Sequence, residues 1–262
     1  GDVRNLTRTP AAHERYPAWS PDGKRIAYFS DASGEYQLHL RDQAGLQEPE
    51  VIALGAATFF YHPAWSPDGN KILYTDKRLN LFYLNVQPAA DSATETGTEA
   101  KKPDRVPILV DTDNYDHPLR SLDPVWSHDS QWIAYTRRLD NHLRAVFLYE
   151  LATATTHQIT DGRSDAISAC FSLDGKYLIF AASTNYALNT GWLDMSSYER
   201  PVERNLYLVV LNKEDSSPFF PESDEEQEKK EEAKKEEKKN EEPVAEGKPA
   251  SDTTAAKENG KK

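Results

Sequence analysis

Tyr16-Pro-Ala-Trp-Ser-Pro-Asp-Gly-Lys-Arg-Ile-Ala-Tyr28 returns as Tyr61-His-Pro-Ala-Trp-Ser-Pro-Asp-Gly-Asn-Lys-Ile-Leu-Tyr74, then as Asp123-Pro-Val-Trp-Ser-His-Asp-Ser-Gln-Trp-Ile-Ala-Tyr135 and Ala169-Cys-Phe-Ser-Leu-Asp-Gly-Lys-Tyr-Leu-Ile-Phe180. Counting from the anchors Trp19, Trp65, Trp126 and Phe171, the next residue is always Ser and the third always Asp. The seventh is Ile or Leu, and the ninth is Tyr or Phe. Such a repeat marks one supersecondary unit that buries its faces only by stacking on its neighbours. The anchors lie 46, 61 and 45 residues apart, in the range of propeller blades.

Each copy reads as a hairpin. In Ser-Pro-Asp-Gly the proline presets φ, Asp22, Asp68, Asp129 and Asp174 can bond local backbone N–H groups, and Gly23, Gly69 and Gly175 supply positive φ. The third copy departs, with His128 and Ser130 in place of Pro and Gly. The segments after the turns are β-rich and apolar on both faces, as strands sandwiched between two sheets must be. A third strand follows at Tyr36–Leu40, Leu79–Leu84, Ala145–Tyr149 and Asn205–Leu211, and a shorter fourth at Val51–Leu54, Val106–Val110 and His157–Thr160. Val3–Thr7 reads as a further fourth strand whose partners are missing.

The expected fold is therefore all-β, a propeller with four blades or partial blades visible. A two-sheet sandwich competes, but sandwiches seldom repeat one aromatic-Ser-x-Asp hairpin in register. The propeller segment is expected over 1–212. Residues 213–262, with 16 acidic and 11 lysine side chains, are expected to be a disordered Lys/Glu-rich tail or insertion, because so charged a stretch buries too little to offset chain entropy. The polar stretch Pro88–Arg105 reads as an inserted loop. Ser183–Arg204 is a second insertion, and its Trp192, Leu193, Met195 and Tyr198 form a candidate docking loop.

The net charge of −12 repels phosphate and argues against nucleic-acid and anionic-membrane partners. No apolar run approaches the ~20 residues of a spanning helix. The single Cys170 excludes an internal disulfide and a cysteine zinc cluster. The only methionine is Met195, so a fragment or processed product is expected and a missing leader carries no information.

Motifs of catalysis are absent: there is no Gly-x-Ser-x-Gly elbow, no His-Glu-x-x-His and no phosphate loop. No catalytic residue, cofactor or metal is expected within the chain. The recurrent Ser-x-Asp pairs read as turn chemistry, since an active site rarely needs four copies. The seven histidines read as structural. Asp111, Asp113 and Asp116 have a spacing that an oxygen-ligand cation could use, without the Gly and distal Glu of an EF-hand, and read first as an Asp-rich turn. Asn5-Leu-Thr7 is a formal glycosylation sequon placed in an expected strand.

The Pro-x-Trp-Ser-Pro-Asp-Gly-Lys-x-Ile-Ala-Tyr repeats resemble those of TolB and of the tricorn protease propellers. Val3–Pro10 leading into Tyr28–Leu38, and Leu188–Ser197 leading through Leu206–Leu211 to Ser217–Glu226, resemble the bacterial tricorn-like serine peptidases. That resemblance implies a noncatalytic propeller region that gates or docks peptide substrates for a PDZ-like domain and a serine protease core, neither present here. It also implies that the Lys/Glu-rich stretch is an insertion with more propeller after it, leaving the fourth unit without an outer strand unless Val3–Thr7 supplies one. The partners implied are peptides, the downstream domains and further copies of the chain. The compartment implied is the cytoplasm, with a periplasmic or exported location as the alternative. If its acidic residues line the channel, cationic or weakly charged peptides are the favoured substrates. The competing functions are a TolB-like interaction scaffold and the propeller of a prolyl-oligopeptidase-type hydrolase.

Overall fold

The computed structural model describes residues 3–86, 105–114, 122–186 and 201–219. They form an all-β structure of four antiparallel sheets. The first blade is β1 (Glu14–Trp19), β2 (Arg25–Ser30), β3 (Gln37–Asp42) and β4 (Glu50–Ile52), and the second is β5 (Phe60–Trp65), β6 (Lys71–Asp76), β7 (Asn80–Asn85) and β8 (Ile108–Thr112). The third is β9 (Leu122–Trp126), β10 (Trp132–Arg138), β11 (Arg144–Glu150) and β12 (Thr155–Gln158). The last holds β13 (Asp165–Phe171), β14 (Tyr177–Ser183) and β15 (Asn205–Val210). Within every sheet, neighbours in space are neighbours in sequence, the meander of a propeller blade.

One hydrogen-bond set, repeated four times, closes the first hairpin of each blade. Ser20, Ser66, Ser127 and Ser172 donate from Oγ to Asp22, Asp68, Asp129 and Asp174 at 2.6, 2.5, 2.5 and 2.5 Å. The same Oγ atoms each accept the N–H five residues on, at 2.9 Å. The Asp carboxylates each accept the N–H two residues on, at 3.0–3.1 Å. The fourth turn residue donates its N–H to the serine carbonyl, and it has positive φ throughout: Gly23, Gly69, Ser130 and Gly175 at 68°, 70°, 60° and 71°. Ser130 therefore holds a glycine conformation.

The strands bury both faces because each sheet is covered by the next. Phe29, Leu38 and Leu40 of the first blade meet Phe60, Ile72, Tyr74 and Leu84 of the second. Leu73, Leu81 and Tyr83 of the second meet Ile133, Tyr135, Phe147 and Tyr149 of the third. Ala134, Val146 and Leu148 of the third meet Leu178, Phe180 and Ala182 of the fourth. At the outer strands, Arg105 pairs with Glu50 at 2.6 Å across the first two blades. Asp111 accepts from Tyr135 Oη at 2.6 Å and from Arg137 at 2.9 Å across the next two. That carboxylate is thus used between blades, and Asp113 accepts the Arg138 N–H at 3.2 Å, while Asp116 lies outside the described residues.

Val3–Thr7 departs from the expected strand. Asn5 Oδ1 instead accepts the N–H groups of Thr7 and Arg8 at 3.1 and 3.0 Å, an Asx turn, and Arg4 donates to the Gln43 carbonyl at 2.9 Å in the first blade. The segment closes the first blade rather than completing the fourth, whose described part has three strands. β8 starts at Ile108 instead of Val106, since Pro107 has no N–H for the ladder. The docking-loop residues Trp192, Leu193, Met195 and Tyr198 lie outside the described residues, as do 87–104 and 220–262. The chain divides into two compact units, Gly1–Asp215 and Ser216–Lys262. In the second, the Phe219 N–H donates to Ser217 Oγ at 3.2 Å.

Candidate functional site in the axial cavity

In each innermost strand the register slips three residues before the anchor aromatic. These β-bulges carry Tyr16, His62, Asp123 and Ser168, at φ of 54°, 49°, 37° and 54°. A left-handed residue costs roughly 1–2 kcal/mol outside glycine, and a bulge re-aims its side chain. In the first three blades the next residue is Pro17, Pro63 or Pro124, which suits a bulge because it needs no ladder N–H. All four bulge residues border one cavity of ≈ 700 Å³, whose walls are completed by Leu73, Thr75, Thr136, Ile167 and Arg144.

One side of the cavity is aromatic. The Tyr16 and His62 rings lie 4.7 Å apart and those of Tyr16 and Tyr61 5.9 Å. Arg15 stacks on Tyr16 at 4.9 Å and donates to its hydroxyl at 3.0 Å. Burial pushes the Tyr61 phenol up, against a smaller opposing pull from Arg15. At the far side, Asp165 is fully buried and held by two guanidinium groups. Arg144 bonds both its oxygens at 3.1 Å, and Arg204 bonds Oδ2 at 2.7 Å and the Asp165 carbonyl at 2.8 Å. Burial acts to raise the Asp165 carboxyl, but the two arginines hold it below the usual carboxylate range. The lining thus carries one carboxylate, one guanidinium and one imidazole among its named residues.

The anchor aromatics and the Ser, Asp and Gly of the hairpin turns are not among the residues that line this cavity. They build the hairpins and the seams between blades. Trp65 Nε1 donates to the Ala18 carbonyl at 3.1 Å, and Trp126 Nε1 to the Ala64 carbonyl at 3.0 Å, so each indole latches the preceding blade. Phe171 has no N–H for the same bond, and Trp19, in the first blade, is 58% exposed. No motif marks the cavity residues, because their identity changes in every copy. The signal available was that variation itself, at one position inside an otherwise constant motif.

The family model described as the tricorn protease second β-propeller domain matches residues 1–249. Among solved structures, tricorn protease is similar with a TM-score of 0.57 and 15% identity, over 81% of this chain and 19% of that one. A putative TolB from Agrobacterium tumefaciens is similar with a TM-score of 0.48 and 19% identity, over 81% of this chain and 63% of that one. The chain thus spans less than two thirds of either protein. No curated protein matches the chain.

Proposed function

The chain belongs to the family of tricorn protease second β-propeller domains, and on that premise we propose that it is the noncatalytic, peptide-guiding part of a larger serine-type peptidase. The observation that carries this reading is the convergence of Tyr16, His62, Asp123 and Ser168, one from each blade, on a single cavity. Four strained positions at one place point to a role for the side chains they aim. The cavity volume lies in the range of ligand sites, roughly 300–1,000 Å³. Its mixed lining favours recognition of an extended peptide by shape, stacking and hydrogen bonding over selection by charge. Peptides, and a PDZ-like domain and protease core elsewhere in the same protein, are the partners this reading assigns, with the cytoplasm as its site of action.

The test is cleavage of unstructured peptides by the full-length gene product and by the 262-residue chain side by side. Turnover by the long form alone is the expected result. Hydrolysis by the short chain that tracks its purity would overturn the noncatalytic assignment.

A further inference from the structure

The seam between the third and fourth blades holds a second cavity, of ≈ 450 Å³, lined by Trp132, Leu148 and Phe171 with the carboxylates of Asp129 and Asp174 beside them. The repeat supplies a comparison for it inside the same molecule. Six residues after the anchor stand Arg25, Lys71, Trp132 and Tyr177. At the first seam Arg25 fills the equivalent place, its guanidinium 4.9 Å over the Trp65 ring with Nη2 3.5 Å from the Gly69 carbonyl. In the second blade the cation is Lys71, bonded to Asp68 Oδ2 at 3.1 Å.

At the third seam Trp132 stands at the cation's motif position, while the surroundings of that position remain. Phe171 provides the ring that Trp65 provides at the first, and Gly175 stands where Gly69 does. Asp129 and Asp174 each use Oδ1 for their turn, and among the described residues no side chain bonds either Oδ2. The seam is also more open: a Cβ on Gly69 would meet Pro21 at 3.8 Å, whereas one on Gly175 would meet nothing within 4 Å. Trp132 packs instead towards His157, ring centroids 6.2 Å apart.

We propose that this seam is a binding slot for an arginine side chain carried on a peptide, which takes the place that Arg25 takes at the first seam. The guanidinium would stack on Phe171 or Trp132 and face the two carboxylates, combining cation–π attraction with charge-assisted hydrogen bonds. The net charge of −12 steers such a ligand inward. This inference is independent of the axial-cavity reading, because the slot shares no residue with that cavity.

The test is calorimetric titration of the 262-residue chain with N-acetyl-arginine amide and, separately, with the uncharged citrulline analogue. Saturable binding of the arginine amide, about tenfold or more tighter than citrulline and weakened by salt, is expected. Trp132→Arg places a guanidinium in the slot from within, so it should abolish binding while keeping the thermal midpoint. Asp174→Asn, at an exposed position, leaves the fold intact and should weaken binding several-fold. Equal affinity for the two amides, no binding, or arginine binding unchanged in both variants would overturn the proposal.

Discussion

The first and third seams are built from the same repeat and held by different means. The first is aromatic, with Phe29, Phe60 and Tyr74 mutually packed at 5.5–5.9 Å between ring centroids, an indole bond and a stacked guanidinium. The third is lined largely by small residues, with Ala134, Ala166, Ala169 and Ala182 in its core. Phe171 offers no indole there, and among the described residues the seam is held by the Arg144–Asp165–Arg204 cluster and by His128 Nε2, 2.8 Å from the Ser172 carbonyl. Apolar volume and buried polar bonding thus substitute for each other between homologous positions. They fail in different ways: an apolar seam loses stability in proportion to deleted contacts, whereas removing one member of a buried charge cluster strands the others.

That contrast is sharpest at Asp165. Asp165→Ala leaves two arginines facing a buried gap, and the expected loss is about 3–5 kcal/mol by urea denaturation. A loss under 1 kcal/mol would mean that the third seam does not depend on its ion cluster. At the first seam, Trp65→Phe recreates the Phe171 situation. It removes the bond to Ala18 and part of the ring under Arg25, with an expected cost of about 1–2 kcal/mol. An unchanged urea midpoint would remove the indole latch from the account.

Acid should act on the hairpin that Asp68 closes at the first seam. Partial burial raises the Asp68 carboxyl, but bonds from Ser66, the Asn70 N–H and Lys71 outweigh it and bring the pKa down to about 2. Its folded value lies below the unfolded one of 3.8. Its stabilisation is therefore complete above about pH 4 and is lost as pH falls through 2. After screening at this largely exposed site the contribution is about 1 kcal/mol. Asp68→Asn should flatten that part of the stability–pH curve, and an unaltered slope between pH 4 and 2 would contradict the assignment.

The smallest effect expected is at Ser130. The motif alone argues that glycine should stabilise a turn held at positive φ by a few tenths to ~1 kcal/mol. Ser130 does have φ of 60°. It is also fully buried, and its Oγ accepts the Asp68 N–H at 3.1 Å across the second seam. Relief of strain and loss of that bond are of similar size, so Ser130→Gly should fall within about 0.5 kcal/mol of neutral. Ser130→Ala, which keeps the strain and loses the bond, should be the worse of the two.

The blades were legible because hairpin chemistry is local. Ser, Asp and Gly at set offsets report their own hydrogen bonds, and apolar strands report burial on two faces. The cavity was not legible, because Tyr16, His62, Asp123 and Ser168 are brought together only by stacking, over a sequence span no local pattern crosses. Asp165 carries no local signal for the same reason: its partners Arg144 and Arg204 lie on other strands or loops. Val3–Thr7 differs from the expected strand because five residues carry little pattern of their own, and its Asn5 competes for backbone N–H groups.

The central claim, that the axial cavity conducts peptides towards proteolysis elsewhere in the protein, is tested most directly by narrowing it. Ser168→Trp in the full-length protein places a large ring at an exposed cavity position. The account predicts that kcat/KM for a long unstructured peptide falls by about tenfold or more while that for a dipeptide-sized reporter changes less than about twofold. Equal rates on both substrates before and after the substitution would contradict it.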